Sequence, residues 1–198
     1  MRPGLKQYLK QLPNFLTIFL FAIFMLVPTS ILLEISKSFK TSPQEINYVF
    51  TFFNIGGIAG RLTAFLYNTR LSTLTIMIYS YTLLGVMDLV LVFSNSIIVL
   101  YLVYALSGYL IGVVYLQANK NLMESNIKDK ARLSNIAFCF YAVGAILGPL
   151  AASTVVESGY NWKYIYIFIL PILLVTTFLF IFLIEEVLVL KLVKIKRQ

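Results

Sequence analysis

Residues 135–150, which read NIAFCFYAVGAILGPL, decide the fold class of this chain. They belong to a run without charge over residues 133–156. Such a run is about as long as a helix that crosses roughly 30 Å of hydrocarbon. The step from Gly144 to Gly148 lets a neighbouring helix approach closely in lipid, and Pro149 frees a backbone carbonyl. The stretch therefore predicts a membrane-spanning helix at a moving interface inside a helical bundle.

The composition of the whole chain agrees with a membrane location. Hydrophobic residues make up 60% of the 198 residues and charged residues 12%, whereas a soluble domain has roughly 25% charged residues. The net charge of +8 could suggest nucleic-acid binding. The basic residues, however, lie between the hydrophobic runs and at the two ends. Nucleic acid is therefore excluded as a partner, and the lipid bilayer is the expected one.

The sequence lacks the residues that most enzymes and metal sites need. It has no histidine, and its single cysteine, Cys139, lies inside an apolar run. It also lacks a GxxxxGK[ST] phosphate loop, a GxSxG motif and an HExxH motif. We therefore expect no catalytic residues, no metal and no cofactor, so an enzyme or an ATP-driven pump is unsupported.

Six apolar segments are each close to the length that one membrane span requires. They indicate an all-α integral membrane protein with six transmembrane helices in one domain, residues 14–186. A cytoplasmic tail, 1–13, is expected before this domain, and a basic cytoplasmic tail, 187–198, after it. The expected spans are 14–33, 46–67, 74–93, 97–119, 133–156 and 164–184.

The distribution of lysine and arginine predicts the orientation in a cell membrane. With a cytoplasmic N-terminus, 12 of the 16 basic residues lie on the inner side, 3 lie on the outer side and Arg61 lies within a helix. Inner loops of membrane proteins carry this excess of positive charge. Both termini are therefore predicted to be cytoplasmic.

Three of the predicted helices carry pairs of glycines four residues apart. Such pairs bring helix backbones close together in lipid. One interpretation is tight, static packing, and the other is that these helices also slide or rock. The sequence alone does not separate the two. The pairs are Gly56 and Gly60, Gly108 and Gly112, and Gly144 and Gly148.

Two charged residues fall within predicted spans, where charges are costly and usually face protein or water. Arg61 follows Gly60 and either extends to the inner interface or pairs with an acid. Asp88 lies well inside the third span, and a structural ion pair with Arg61 or another basic group is favoured over a proton relay. Pro28 is expected to interrupt the first helix and to expose carbonyls to a cavity.

The end of the fourth span carries the candidate substrate-binding residues. Tyr115 and Asn119 are four residues apart and share a helix face, whereas Gln117 lies on another. A tyrosine ring and amide side chains suit a sugar, because the ring stacks and the amides bond hydroxyls. The alternative is that this segment is only a helix end merging into a polar cytoplasmic loop.

The glycine motifs and one loop resemble those of the major facilitator superfamily of transporters, in its N-terminal half. The pattern of Gly144, Gly148 and Pro149 is similar to the fifth-helix motif of that family. The segment from Gly56 through Asn68 and Arg70 stands where the family has its loop motif between helices two and three. Here Asn68 replaces the family's acid and only Arg70 is basic, so the loop motif is eroded.

Within the superfamily, the fourth and fifth helices are most similar to the fucose-permease-like sugar transporters. Those proteins carry an acid four residues before an asparagine in the fourth helix. Asn119 matches that asparagine, but Tyr115 stands where the acid would be. The resemblance implies that sugar binding could persist without proton coupling through that acid.

The resemblance also implies a function and a partner. Family members have twelve helices, of which this chain supplies six, with helices one and four lining the cavity and helices two and five lining the seam. The expected partner is a second six-helix half, as a separate chain or a second copy. The expected function is secondary, alternating-access transport of a small polar solute such as a sugar. The alternative is a non-transporting membrane interaction or assembly protein, or a truncated transporter remnant.

Overall fold

The computed structural model describes residues 5–67 and 72–195, with side chains over 7–66 and 72–182. This part of the chain is helical and contains no strand. The helices are α1 (Leu5–Leu9), α2 (Leu12–Ser30), α3 (Leu32–Phe39), α4 (Pro43–Ile46), α5 (Tyr48–Tyr67), α6 (Thr73–Phe93), α7 (Ile97–Glu124), α8 (Lys130–Glu157) and α9 (Tyr164–Ile195).

Six stretches of the described chain are long and apolar enough to cross a membrane. They correspond one for one to the six segments expected from the sequence, which confirms an all-α membrane fold. The stretches are Leu12–Ser30, Pro43–Leu66, Thr73–Phe93, Ile97–Glu124, Lys130–Glu157 and Tyr164–Phe182.

The first span is interrupted near Pro28, as expected, but the chain stays helical beyond the break. Ile31, three residues after Pro28, leaves helical geometry with φ −116° and ψ 19°. The hydroxyls of Thr29 and Ser30 donate to the carbonyls three residues earlier. Helix α3 then runs to Phe39, inside the segment that the sequence predicted to be a loop.

The fourth and fifth spans are also longer than expected, which shortens the loop between them. Helix α7 continues to Glu124, and α8 begins at Lys130, where the Asp129 carboxylate accepts the N–H of Arg132 at 2.9 Å. Such an N-cap satisfies a backbone donor that the helix leaves free. Tyr115 and Asn119 consequently lie within a regular helix. The alternative of a helix end merging into a loop at these residues is therefore wrong.

The last helix extends beyond the span expected from the sequence, 164–184. The backbone of α9 remains helical to Ile195. Most of the segment that the sequence analysis assigned to a basic tail, 187–198, thus continues this helix.

The spans pack mainly in three pairs, α5 with α7, α2 with α8, and α6 with α9, and α6 also packs against α7. Helices α7 and α8 both contact α2 and barely touch each other. The buried share is 61% for the α2 span and 56% for the α7 span, but only 28% for the span that contains α5 and 22% for α8. Helices α5 and α8 therefore leave the largest part of their apolar surface uncovered.

Candidate functional site

A cavity of about 390 Å³ lies where α7 and α8 separate in front of α2. Its walls come from one face of each helix, since the lining positions recur at intervals of three, four or seven residues. Helix α2 contributes Ile18, Phe21 and Met25; α7 contributes Tyr115, Asn119, Leu122 and Met123; and α8 contributes Ser134, Ala137, Phe138 and Tyr141.

The wall is largely aromatic and aliphatic. The rings of Phe21 and Tyr115 lie 4.3 Å apart between centroids, and the Tyr141 ring lies 6.2 Å from Phe21. The Asn119 side chain donates to the backbone carbonyl of Tyr115 at 2.8 Å, which occupies one of its donors. The polar side-chain groups of the lining are the Asn119 amide and the hydroxyls of Ser134, Tyr115 and Tyr141.

Arg61, on α5, lies beside two of the rings that line this cavity. Its guanidinium carbon stands 5.7 Å from the centroid of the Phe21 ring and 5.5 Å from that of Tyr115. A cation over aromatic faces at this distance is attracted by the ring electrons. The ion pairs between described side chains are Glu34 with Lys37 and Lys120 with Glu124. Among the described side chains Arg61 is not paired with Asp88, because α5 holds Arg61 over the rings of α2 and α7.

Asp88 lies in a different part of the bundle. It is 1% exposed, and its Oδ2 atom has no hydrogen-bond partner among the described residues. It lies close enough to Tyr104 of α7 and Tyr166 of α9 to interact electrostatically with both. The two tyrosine hydroxyls form a hydrogen bond with each other. The carboxyl group is thus enclosed by α6, α7 and α9 without a described cation beside it.

The three candidate substrate-binding residues do not form one surface. Tyr115 and Asn119 line the cavity, but Gln117 does not. Its side chain is fully buried, and neither Nε2 nor Oε1 has a hydrogen-bond partner among the described residues. The helical period explains the division, since residues i and i+4 share a face and residue i+2 points elsewhere.

The glycine pairs of α5 and α7 face each other. A Cβ atom on Gly56 or Gly60 would overlap the carbonyl of Ala105 or Tyr109, and one on Gly108 or Gly112 would overlap the carbonyl of Phe53 or Gly57. Each overlap is with backbone of the other helix, which has no side-chain freedom to move away. The sequence indicated close packing at these glycines but did not show that the two pairs meet.

The glycine pair of α8 packs against α2. A Cβ atom on Gly144 would stand 2.5 Å from the carbonyl oxygen of Phe19, whereas one on Gly148 would stand 3.2 Å from the Cγ1 atom of Ile23. Pro149 lies directly after this contact and remains within α8. The approach of the two helices is therefore closest at Gly144 and looser at Gly148.

A polar connection between α2, α6 and α7 escaped the sequence analysis. The Asn121 amide donates to Asn14 at 3.1 Å, and the Asn14 amide donates to Gln11 at 3.0 Å. The Tyr81 hydroxyl donates to Thr17 at 2.6 Å. These residues belong to different segments of the chain, so no spacing in the sequence relates them.

The loop-motif residues Asn68 and Arg70 lie outside the described residues. The structure describes all the other candidate residues. The profile of the Major Facilitator Superfamily matches residues 15–196. The chain belongs to this superfamily. No curated protein matches the chain.

Membership confirms the superfamily prediction and makes this a multi-pass membrane protein of a transporter family. The first and fourth spans, α2 and α7, line the cavity as the resemblance implied, and the fifth, α8, also lines it. The second and fifth spans, α5 and α8, are the least covered.

Proposed function

We propose that this six-helix unit is half of a secondary transporter that carries a small solute by alternating access. The observation that carries the proposal is the cavity between α2, α7 and α8 in a chain of the Major Facilitator Superfamily. The cavity volume of about 390 Å³ falls within the range of roughly 300–1,000 Å³ that small-molecule sites occupy. Transport of this kind requires solute binding and helix motion but no change in covalent bonds.

The moving element in this proposal is α8. It supplies one wall of the cavity, touches α7 little and packs on α2. At Gly148 the contact with α2 includes side-chain atoms of Ile23 and Val27, which adopt other rotamers more readily than backbone moves. A rocking motion of α8 on α2 would widen or narrow the cavity without separating α5 from α7.

The uncovered faces of α5 and α8 support the partner in this proposal. Exposed apolar side chains on these helices include Ile58, Leu62, Phe65, Ile146 and Leu150. Lipid covers such residues well, but Arg61 and the polar groups of the cavity would also face lipid in an isolated half, which is costly. A second six-helix half, in the same polypeptide, as a separate chain or as a second copy, would enclose them.

Asp88 is our candidate for proton binding within this transporter. The ion pair that the sequence favoured is not formed, and an unpartnered carboxyl oxygen inside a membrane bundle is often functional. Replacing it in Asp88→Asn retains the shape but not the titratable proton. We expect the variant to bind solute within twofold of the unaltered protein and to lose the dependence of flux on a pH gradient. An unchanged dependence would exclude Asp88 from coupling.

The experiment for the proposed function has two stages. The mass of the purified chain in mild detergent, measured by light scattering with the detergent subtracted, tests for a twelve-helix assembly. Liposomes containing that assembly are then screened for solute uptake, with Asn119→Ala and Gly148→Leu as variants in the cavity and at the helix contact. We expect uptake that both variants reduce.

The alternative function, a non-transporting interaction or assembly protein, predicts a different result. It gives no uptake of any solute, a stable complex with an unrelated membrane protein, and no effect of Asn119→Ala or Gly148→Leu on that complex.

A further inference from the structure

We infer that the solute of this cavity is an organic anion with a flat apolar body, such as an aromatic carboxylate, rather than a sugar. The inference rests on the proposed function, because it names the class of solute for the same cavity. The anionic group would bind at Arg61, and the body would lie against the aromatic wall formed by Phe21, Tyr115 and Tyr141.

Arg61 supplies the charge that such a solute requires. Its guanidinium faces the rings of Phe21 and Tyr115 at 5.7 and 5.5 Å. Neither ion pair between described side chains includes it, and the cavity lining contains no aspartate or glutamate. A guanidinium carries five N–H donors in a planar fork. Two of these donors match the two oxygens of a carboxylate.

The cavity wall favours an apolar body over a polyhydroxylated one. Its lining consists mainly of Phe, Tyr, Leu, Ile, Ala and Met side chains. A sugar would leave several of its hydroxyls without partners there, and a buried polar group without a hydrogen bond is unfavourable. The Asn119 side-chain amide already donates a hydrogen bond to the Tyr115 carbonyl. Met25 and Met123 at the margin are flexible side chains that adapt to aromatic ligands.

The rings of Phe21 and Tyr115 connect Arg61 to the cavity. Both rings line the cavity, and the guanidinium carbon of Arg61 lies within 5.7 Å of both ring centroids. One end of a solute would therefore meet positive charge while the rest contacts rings. A lipid phosphate is the other anion that could bind Arg61 in a membrane, so the experiment includes a lipid arm.

Binding of radiolabelled 2-naphthoate to the purified protein in nanodiscs of phosphatidylcholine tests the inference. The neutral analogue 2-naphthylmethanol and the sugar L-fucose serve as competitors. We expect saturable 2-naphthoate binding that falls at least tenfold in Arg61→Gln. Arg61→Lys should recover part of the affinity, because lysine keeps the charge but lacks the fork. The alcohol should compete at least tenfold more weakly than unlabelled 2-naphthoate, and fucose should not compete.

The matched control is Arg132→Gln. The Arg132 guanidinium carbon also lies over an aromatic ring, 5.3 Å from the centroid of Tyr8, but neither residue lines the cavity. We expect this variant to bind 2-naphthoate within twofold of the unaltered protein. Size-exclusion profiles of both variants verify that each one folds.

Three results would overturn the inference: no saturable 2-naphthoate binding, equal loss in Arg61→Gln and Arg132→Gln, or displacement by fucose. In the lipid arm, native mass spectrometry counts phosphatidylglycerol molecules that remain bound. Retention that depends on Arg61 and resists 2-naphthoate would assign the arginine to lipid and also overturn the inference.

Different experimental results would reject the proposed function and the proposed solute class. Arg61-dependent binding without flux in liposomes would retain the solute class and reject transport. Flux of fucose that is indifferent to Arg61→Gln would retain transport and reject the solute class.

Discussion

The contact between α5 and α7 and the contact between α2 and α8 share a sequence feature but pack differently. Both depend on glycines four residues apart. In the first contact the glycines of both helices face backbone carbonyls of the other helix. In the second, only α8 supplies glycines. The nearest atom to an added Cβ is the Phe19 carbonyl oxygen at 2.5 Å beside Gly144, whereas beside Gly148 the nearest atoms, from the Ile23 and Val27 side chains and the Ile23 Cα, stand at 3.2–3.3 Å.

The difference indicates which helices can move relative to each other. Backbone packed on backbone shifts only when a whole helix shifts, whereas a contact with side chains adjusts through their rotamers. We therefore expect α5 and α7 to move as one body. Helix α8, beside the cavity, is the element expected to change its position.

The largest expected effect is that of Gly108→Ala in α7. The added methyl group would overlap three backbone atoms of Phe53 in α5, so the two helices must separate along their whole contact. Overpacking of this kind costs about 3 kcal/mol of unfolding free energy. Unfolding by SDS in mixed micelles, followed by circular dichroism, measures this loss. A loss below 1 kcal/mol would mean that the contact between α5 and α7 adjusts to the added methyl group. The expected difference in rigidity between the two contacts would then be wrong.

The second largest effect is expected for Gly144→Ala in α8. Its methyl group would stand 2.5 Å from the Phe19 carbonyl oxygen and 3.1 Å from the Phe19 ring. One backbone atom, the ring of Phe19 and, at 3.2 Å, the Cβ atom of Ala22 obstruct it, instead of three backbone atoms. We expect a loss of about 2 kcal/mol in the same unfolding measurement. A loss as large as that of Gly108→Ala would make the two contacts equally rigid.

Much of the fold could be predicted from the sequence, because membrane spans are recorded in composition and length. Hydropathy identified six spans, and the charge-free run around Gly144 identified the fifth. The ends of the helices could be predicted less well from the sequence. Asn119 and Lys120 are polar but remain inside α7, since a helix at the edge of a membrane can present polar side chains to water without unwinding.

Only part of the candidate site could be predicted from the sequence. The spacing of Tyr115 and Asn119 predicts a shared face, and both line the cavity. The partner of a charge depends instead on how helices distant in sequence are arranged. An ion pair of Asp88 with Arg61 or another basic group was favoured, yet Arg61 contacts α2 and α7 and Asp88 is enclosed by α6, α7 and α9.

A smaller effect on stability is expected for Gly148→Ala. The nearest atoms to the added methyl group belong to Ile23 and Val27, at 3.2 and 3.3 Å, so they need to shift by only a few tenths of an ångström. We expect a loss of about 1 kcal/mol or less. If α8 moves on α2, the rate of solute uptake should fall although the protein keeps most of its unfolding free energy. Unchanged uptake in a stable Gly148→Ala protein would argue against motion at this contact.

The smallest effect is expected for Gly85→Ala in α6, which serves as the reference for the whole series. A Cβ atom there would meet only the Leu170 side chain, at 3.6 Å, which is an ordinary contact distance. Alanine also favours a helix over glycine, by up to about 1 kcal/mol in water. We therefore expect unchanged or slightly raised stability in the same micelles. If Gly85→Ala instead loses as much stability as Gly144→Ala, the losses would reflect glycine replacement in any helix of this bundle, and the graded ranking of the contacts could not be drawn from them.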